Sequence, residues 1–490
     1  MHPALKLLTA NSGYLAGASA LNALLRAAYV LALARLLSPE LYGLFNYAGA
    51  LASTLLALTL FGMGVILSRG LAQGPSSGPS LLGLTLFLRT ILALGATLAC
   101  AAWAALVENE IEVQRVLYIF ALALFARSLS LWAQQAFTAF EANRHTAILD
   151  ALYRPAEVIA GLGAALLTKD IVWVAVVHAV SWWLQAGSAL FAVRRRLSPA
   201  FRFSDLPRIG RIFKQGLPIG LTSAGILWLT QGWFLMQRFS DGITPELGYM
   251  AVALQGLMLL NILPATLATT SIPVLSRAHA RGDPRGGRYV SLAVSVIYML
   301  GMVVVFAVVP AVPAAVEFMF GQRYSRAGTI AVFVVWFVLP FTAGNLIHSL
   351  LHAYAKDRVA LVAVLLSGGA MPLVYFLLLE SGVSMPGIVA GAFGLLAWNG
   401  ILLYQCIHRL RLLEGSMVKR AVIISAAGAG VFLFVRAYSL SFASLGGAAI
   451  VVLLIVLFKP ISSEAFKEVW ALVSTPRDDQ SAESGMPRVD

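Results

Sequence analysis

Arg26, Arg89, Arg127 and Arg154 stand deep inside runs of apolar residues that are long enough to cross a bilayer. A cation at that depth costs roughly 2.5 to 3.5 kcal/mol on the lenient insertion scale, so four of them facing lipid would cost on the order of 10 kcal/mol. They are therefore expected to face a cavity or another helix. Asp150, Arg154 and Glu157 follow at i, i+4 and i+7, on one face of one helix, where part of the charge is neutralised locally. Four cations against two anions leave a positive balance. A guanidinium in a low dielectric pairs bidentately with phosphate, so these arginines, read as a set, suit an anionic substrate. Read singly, each also fits snorkelling or a helix-to-helix ion pair.

Other chemistry has less support in the residues. His348 and His352 stand one helical turn apart, a spacing that can hold zinc, but no third ligand is close in sequence, so no metal is expected. His178 reads as a buried hydrogen-bonding residue. No hydrolase elbow, phosphate-binding Walker loop or dinucleotide fingerprint appears, so no catalytic residue is assigned and the chain is not read as an enzyme. A membrane glycosyl-transfer or polymerising enzyme would carry large polar loops, and this chain has none. Cys100 and Cys406, the two cysteines, are predicted near opposite membrane faces, which argues against a disulfide.

The elements that must position these residues are membrane helices. With 59% hydrophobic and 12% charged residues over 490, the chain cannot be packed inside one water-soluble core. A span needs about 20 mostly apolar residues, because every backbone amide must find its partner within the segment. Such runs lie near 12–35, 43–68, 83–107, 114–140, 145–167 and 171–193, then near 215–238, 247–273, 289–312, 327–351, 359–379 and 387–407, with two more near 420–438 and 442–459. The fold class is thus an all-α polytopic integral membrane protein of about fourteen transmembrane helices. The expected divisions are a six-helix lobe over 1–193, a cytoplasmic linker over 194–214, a second six-helix lobe over 215–408, two further helices over 409–459 and a cytoplasmic tail over 460–490. In that tail Phe466, Trp470 and Val473 share one helical side, which either lies on the inner leaflet or docks on the loops. The first run continues at full membrane length past Arg26, so it reads as an uncleaved span and not a signal peptide.

Orientation follows from lysine and arginine, which collect in cytoplasmic loops. Alternate connections carry Arg194, Arg195, Arg196 and Lys214, then Arg281, Arg285 and Arg288, then Lys356 and Arg358, then Arg409 and Arg411. The intervening turns are short and poor in basic residues, which places both termini in the cytoplasm. Because the net charge of +13 is spread over separate loops, it implies no nucleic-acid partner.

One joint recurs. Ser38-Pro39-Glu40-Leu41 matches Thr244-Pro245-Glu246-Leu247, and Leu67-Ser68-Arg69 matches Leu275-Ser276-Arg277, at offsets of 206 residues (Pro39 to Pro245) and 208 residues (Arg69 to Arg277). Ser/Thr-Pro-Glu is also a common way to open a helix. A second match at nearly constant offset favours duplication. Such a period spans an even number of helices, so the two halves would insert with the same orientation, as pseudo-symmetric lobes.

The N-terminal "ARLLSPELYGLFNYAGAL" and "LFGMGVILSRGLA", with Arg35, Ser38, Pro39, Glu40, Tyr42, Gly43, Gly62, Gly64 and Arg69, resemble the polysaccharide-transport (oligosaccharide flippase, O-antigen flippase-like) branch of the multidrug/oligosaccharidyl-lipid/polysaccharide (MOP) exporter superfamily. The motif covers about the first 70 residues, and the six-plus-six-plus-two architecture covers nearly the whole chain. The resemblance implies a flippase in a bacterial or archaeal cytoplasmic membrane. Its substrate would be an undecaprenyl-pyrophosphate-linked oligosaccharide, moved from the cytoplasmic to the outer leaflet by alternating access. Arg26, Arg127 and Arg154, with Arg89 as a weaker fourth, would then hold the pyrophosphate. Asp150 and Glu157 would tune Arg154 or couple transport to a proton or sodium ion. A lipid II flippase and an ion-coupled multidrug or metabolite antiporter of the same superfamily are the alternatives. No cofactor is implied.

Overall fold

The computed structural model describes residues 3–73, 78–201, 206–261, 268, 271–272, 275–276, 278–283, 285–435 and 439–458. The expectations for the tail over 460–490, for residues 202–205 of the linker and for Arg277 of the repeat lie outside these. The described residues are helical with no strand among them, and eleven of the helices are long and apolar enough to cross a membrane. The fourteen expected spans exceed that number partly because some helices carry chemistry. The helix over Asn143–Thr168 has full membrane length, but Arg154 and Glu157 dilute its hydropathy.

The helices needed below are α1 (Pro3–Leu36), α2 (Pro39–Leu60), α3 (Met63–Gln73), α4 (Gly78–Leu106), α5 (Ile111–Ala139), α6 (Asn143–Thr168), α7 (Ile171–Leu197), α8 (Pro207–Asp241) and α9 (Pro245–Leu260). Further on come α10 (Arg285–Val308), α11 (Val312–Phe320), α12 (Ser325–Val334), α13 (Val338–Ala353), α14 (Asp357–Glu380), α15 (Pro386–Tyr404), α16 (Gly415–Val435) and α17 (Leu440–Phe458). Their apolar residues point both ways. Trp132, Trp182 and Phe137 are buried, while Leu98, Ile159, Leu167 and Phe434 are exposed on a surface whose solvent is lipid.

Local signals explain the helix ends. Ser38 caps α2 by accepting from the Leu41 amide at 3.4 Å, with Pro39 in the first turn and Glu40 at the positive end of the helix. The same helix stops where Phe61 and Gly62 take left-handed conformations, φ 48° and 63°. Asp170 caps α7 by accepting from the Val172 amide at 2.8 Å, and Arg194, Arg195 and Arg196 occupy its last turn, where the helix dipole favours cations.

Contacts gather the chain into two compact units that interleave in sequence: Met1–Leu259 with Val312–Val334 and Leu361–Leu395, and Leu260–Ala311 with Val335–Ala360 and Leu396–Asp490. The first unit takes in α8 and most of α9, on the far side of the linker expected over 194–214. In the first unit the repeated joints meet each other. A Cβ on Gly43 of α2 would lie 2.7 Å from the Gly248 backbone nitrogen of α9, and one on Gly248 would overlap the Pro39 carbonyl. The two helices therefore cross backbone to backbone, which only glycine at the crossing allows. Nearby, Arg238 of α8 donates to Glu108 at 2.9 Å and to Glu110 at 3.0 Å, and Glu108 also accepts from Tyr47 at 2.6 Å. Arg35 of the N-terminal motif donates to the Met319 and Phe318 carbonyls, both at 2.8 Å, satisfying the open C-terminal end of α11.

The second unit is held by a polar chain of its own. Tyr298 of α10 donates to Asn399 of α15 at 3.2 Å, Asn399 donates to the Pro340 carbonyl at 2.6 Å, and Ser425 of α16 donates to the Tyr298 carbonyl at 2.7 Å. Each is an interhelical bond in a setting where an unpaired polar group is costly.

Candidate functional site

Within the first unit, α1, α2, α5, α6, α7 and the inner residues of α8 and α9 surround a cavity of about 390 Å³. Its size is that of a small-ligand pocket. Arg26, Arg127 and Arg154 all line it, from three different helices, together with Asp150, Glu157 and His178.

The two carboxylates are occupied differently. Glu157 accepts from Arg154 at 2.8 Å and pairs with His178 Nδ1 at 2.6 Å, which leaves neither oxygen open. Asp150 has no cationic partner among the described residues. It accepts from three amides instead: Asn22 at 2.9 Å, Gln134 at 3.1 Å and Gln185 at 2.9 Å. The local neutralisation expected along α6 thus falls on Glu157 alone, because Asp150 is turned toward the amides of α1, α5 and α7. Pro155, inside α6 beside Arg154, cannot donate to the Ala151 carbonyl, which loosens the helix at the residue that carries the charge.

The arginines divide likewise. Among the described residues Arg26 reaches only the Gln255 side-chain oxygen, at 3.4 Å, and Gln255 in turn donates to Asn46 at 2.6 Å. Arg127 has no carboxylate within ion-pair distance among the described residues, and its buried Nε has no hydrogen-bond partner. Among the arginines and carboxylates of the lining, three guanidiniums stand against two carboxylates. Two of the cations have their donors largely unspent. Unspent guanidinium donors are the groups that pair with phosphate or carboxylate.

Arg89 is placed elsewhere. It is wholly buried on α4 and is not among the cavity-lining residues. Its Nε donates to the Ser128 carbonyl of α5 at 3.0 Å, and one terminal nitrogen donates to the Thr59 carbonyl at 2.6 Å. Thr59 lies in the last turn of α2, whose carbonyls lack intrahelical partners, so Arg89 caps that helix and ties it to α5. Arg89→Ala is expected to destabilise the fold by about 3 kcal/mol, the scale of losing charge-assisted bonds to buried carbonyls. Ligand affinity in the folded fraction should stay unchanged. Unfolding curves beside ligand titration check this, and lost affinity with an unchanged unfolding curve would return Arg89 to the site.

Sequence reading missed the contribution of Asn22, Gln134 and Gln185, whose amides hold Asp150, and of Trp182, on which Arg127 and Arg154 pack. His178 was legible as a buried hydrogen-bonding residue, but its pairing with Glu157 has no signal in the chain. His352 pairs with Asp357 at 2.7 Å, in the other unit. Among the described residues no three His, Cys, Asp or Glu side chains gather as a metal site would require.

Residues 8–279 match the model of a family described as polysaccharide biosynthesis protein. The chain belongs to that family. Solved structures agree on the fold. The lipid II flippase MurJ in an inward closed conformation superposes with a TM-score of 0.64 at 11% identity, over 90% of this chain and 98% of that one. A multidrug resistance MATE family transporter of the MOP superfamily, inward-facing, gives 0.64 at 12% identity over 80% and 95%. A MOP superfamily transporter from Pyrococcus furiosus, described as having a binding pocket of reverse polarity, gives 0.59 at 15% identity over 82% and 95%. No curated protein sequence matches the chain. The fold is therefore one that this chain shares with solved membrane transporters, the flippase MurJ among them.

Proposed function

We propose that this protein is a flippase that carries a lipid-linked, undecaprenyl-pyrophosphate-bearing oligosaccharide from the cytoplasmic to the outer leaflet, by alternating access. The observation that carries this reading is the gathering of three guanidiniums around one cavity with two of them unmatched by a carboxylate. A diphosphate headgroup supplies the missing negative charge, and Arg26 and Arg127 have free donors to meet it. The cavity's volume suits the headgroup and adjoining sugar, while the hydrocarbon tail has the bilayer as its solvent. On this reading the pseudo-symmetric lobes over 1–193 and 215–408 alternate around the site, the linker and both termini are cytoplasmic, and the membrane is a bacterial or archaeal cytoplasmic one. Glu157 and Asp150 would couple a proton or sodium ion by exchanging their present hydrogen-bond partners for it.

An antiporter for cationic drugs would need acidic groups left open to the ligand. Here both carboxylates are already engaged, which favours the anionic cargo. Reconstitution of the full chain into proteoliposomes tests the choice. Translocation of a fluorescent undecaprenyl-diphosphate sugar is expected, and no uptake of a cationic dye. Dye transport without movement of the diphosphate lipid would overturn the proposal.

A further inference from the structure

Trp182 of α7 is not part of the cavity lining, yet it touches two of the three cations that are. The guanidinium carbon of Arg127 lies 4.3 Å from the indole centroid and that of Arg154 lies 4.0 Å from it. Those carbons are therefore no farther apart than the sum of the two distances. The ring is 1% exposed and sits among Ala123, Ala126, Ala179 and Ala186, small residues that leave room for it. His178, the partner of Glu157, stands edge-on to the same indole with ring centroids 6.1 Å apart.

Two like charges held this close repel, and a carboxylate placed between them would be the usual remedy. It would also consume the charge that a ligand needs. The face of an indole attracts cations through its quadrupole while carrying no net charge. Arg154 has Glu157 as a second partner. Arg127 has none among the described residues, so the ring is what orders a side chain that otherwise has many rotamers to explore.

We infer that Trp182 is a positioning residue: it holds Arg127 and Arg154 as a fixed pair whose spacing selects a ligand with two adjacent anionic groups, a diphosphate, over one with a single phosphate. The inference rests on the reading of this cavity as an anion site. A diphosphate presents one phosphoryl group to each guanidinium at once. A monophosphate engages one fork and leaves the other unmatched. Without the ring, Arg127 has no anchor and Arg154 is left to Glu157, so the pair ceases to exist as a unit.

Binding of inorganic pyrophosphate and of orthophosphate to the full chain in nanodiscs, by calorimetry with thermal midpoints recorded alongside, tests this. The wild type is expected to prefer pyrophosphate. Trp182→Phe retains a smaller aromatic face and should lose pyrophosphate affinity a few-fold with little change for orthophosphate. Trp182→Leu retains apolar bulk without the face, and should lose about tenfold in pyrophosphate affinity with little change for orthophosphate. A purely packing role would lower the midpoint without altering the ratio of the two affinities, so an unchanged ratio in folded Trp182→Leu overturns the inference. Should Trp182→Leu fail to fold, the Trp182→Phe protein decides: a loss shared equally by both ligands overturns the inference, and a loss confined to pyrophosphate supports it. Arg127→Ala separates the two levels. If that variant and the wild type bind pyrophosphate alike, the anion-site reading fails and takes this inference with it. If Arg127→Ala loses binding while Trp182→Leu does not, the role of Trp182 alone is refuted.

Discussion

Gly248→Leu is expected to abolish both stable folding and transport, although residue 248 touches no ligand. The Cβ that leucine adds would overlap the Pro39 carbonyl, and the facing Gly43 has the Gly248 nitrogen and the Leu247 carbonyl carbon only 2.7 and 3.0 Å from where its own Cβ would be. The obstacle is backbone on both sides, so no rotamer change relieves it. Overpacking that a core can absorb costs typically 1 to 3 kcal/mol. Here α2 and α9 must separate, and the loss should exceed about 3 kcal/mol. Gly248→Ala should show a smaller but clear fall in thermal midpoint. Gly95 of α4 supplies the control, since nothing lies within 4 Å of its Cβ position. Gly95→Leu should be neutral or slightly stabilising, because leucine is the better helix former. A Gly248→Leu protein that melts and exports like the wild type would mean that the two joints do not cross as described.

That crossing also marks how far the sequence can be read. The helices were legible from the length rule for a bilayer, and the starts of α2 and α9 from Ser/Thr-Pro-Glu, because capping and span length are local physics. That the two copies of the joint pack on each other was not legible. The repeat gives an offset, and an offset does not say which copies touch. Arg89 and Arg127 make the same point about the candidate site. In sequence they are equivalent, each a cation in an apolar run. One guanidinium meets the Thr59 and Ser128 carbonyls, the other lines the cavity against Trp182, and that choice depends on the rotation of α4 and α5 about their axes. The α6 triad was legible as one face because its spacing is helical. Its pairing was not, since Asp150 is held by amides from α1, α5 and α7 that lie 16 to 128 residues away.

Arg127→Ala should cost roughly 10- to 100-fold in affinity for a diphosphate headgroup, the loss of one or two charge-assisted hydrogen bonds, and should abolish glycan export in a complementation assay. Arg127→Lys keeps the charge without the bidentate fork and should recover part of both. Arg154 differs, because its donor to Glu157 at 2.8 Å already commits part of its charge within the protein. Removing it takes away a cation and leaves Glu157 with His178 alone, so Arg154→Ala should be as damaging as Arg127→Ala. It should also be rescued, in part, by Glu157→Gln in the same chain, which removes the stranded anion. The corresponding Arg127→Ala with Glu157→Gln restores the same net charge but not the missing donors, and should stay inactive. Equal rescue of both pairs would mean that the cavity counts only total charge and that the positions of its guanidiniums do not matter. Wild-type export by well-expressed alanine variants at Arg26, Arg127 and Arg154 would rule out the site altogether.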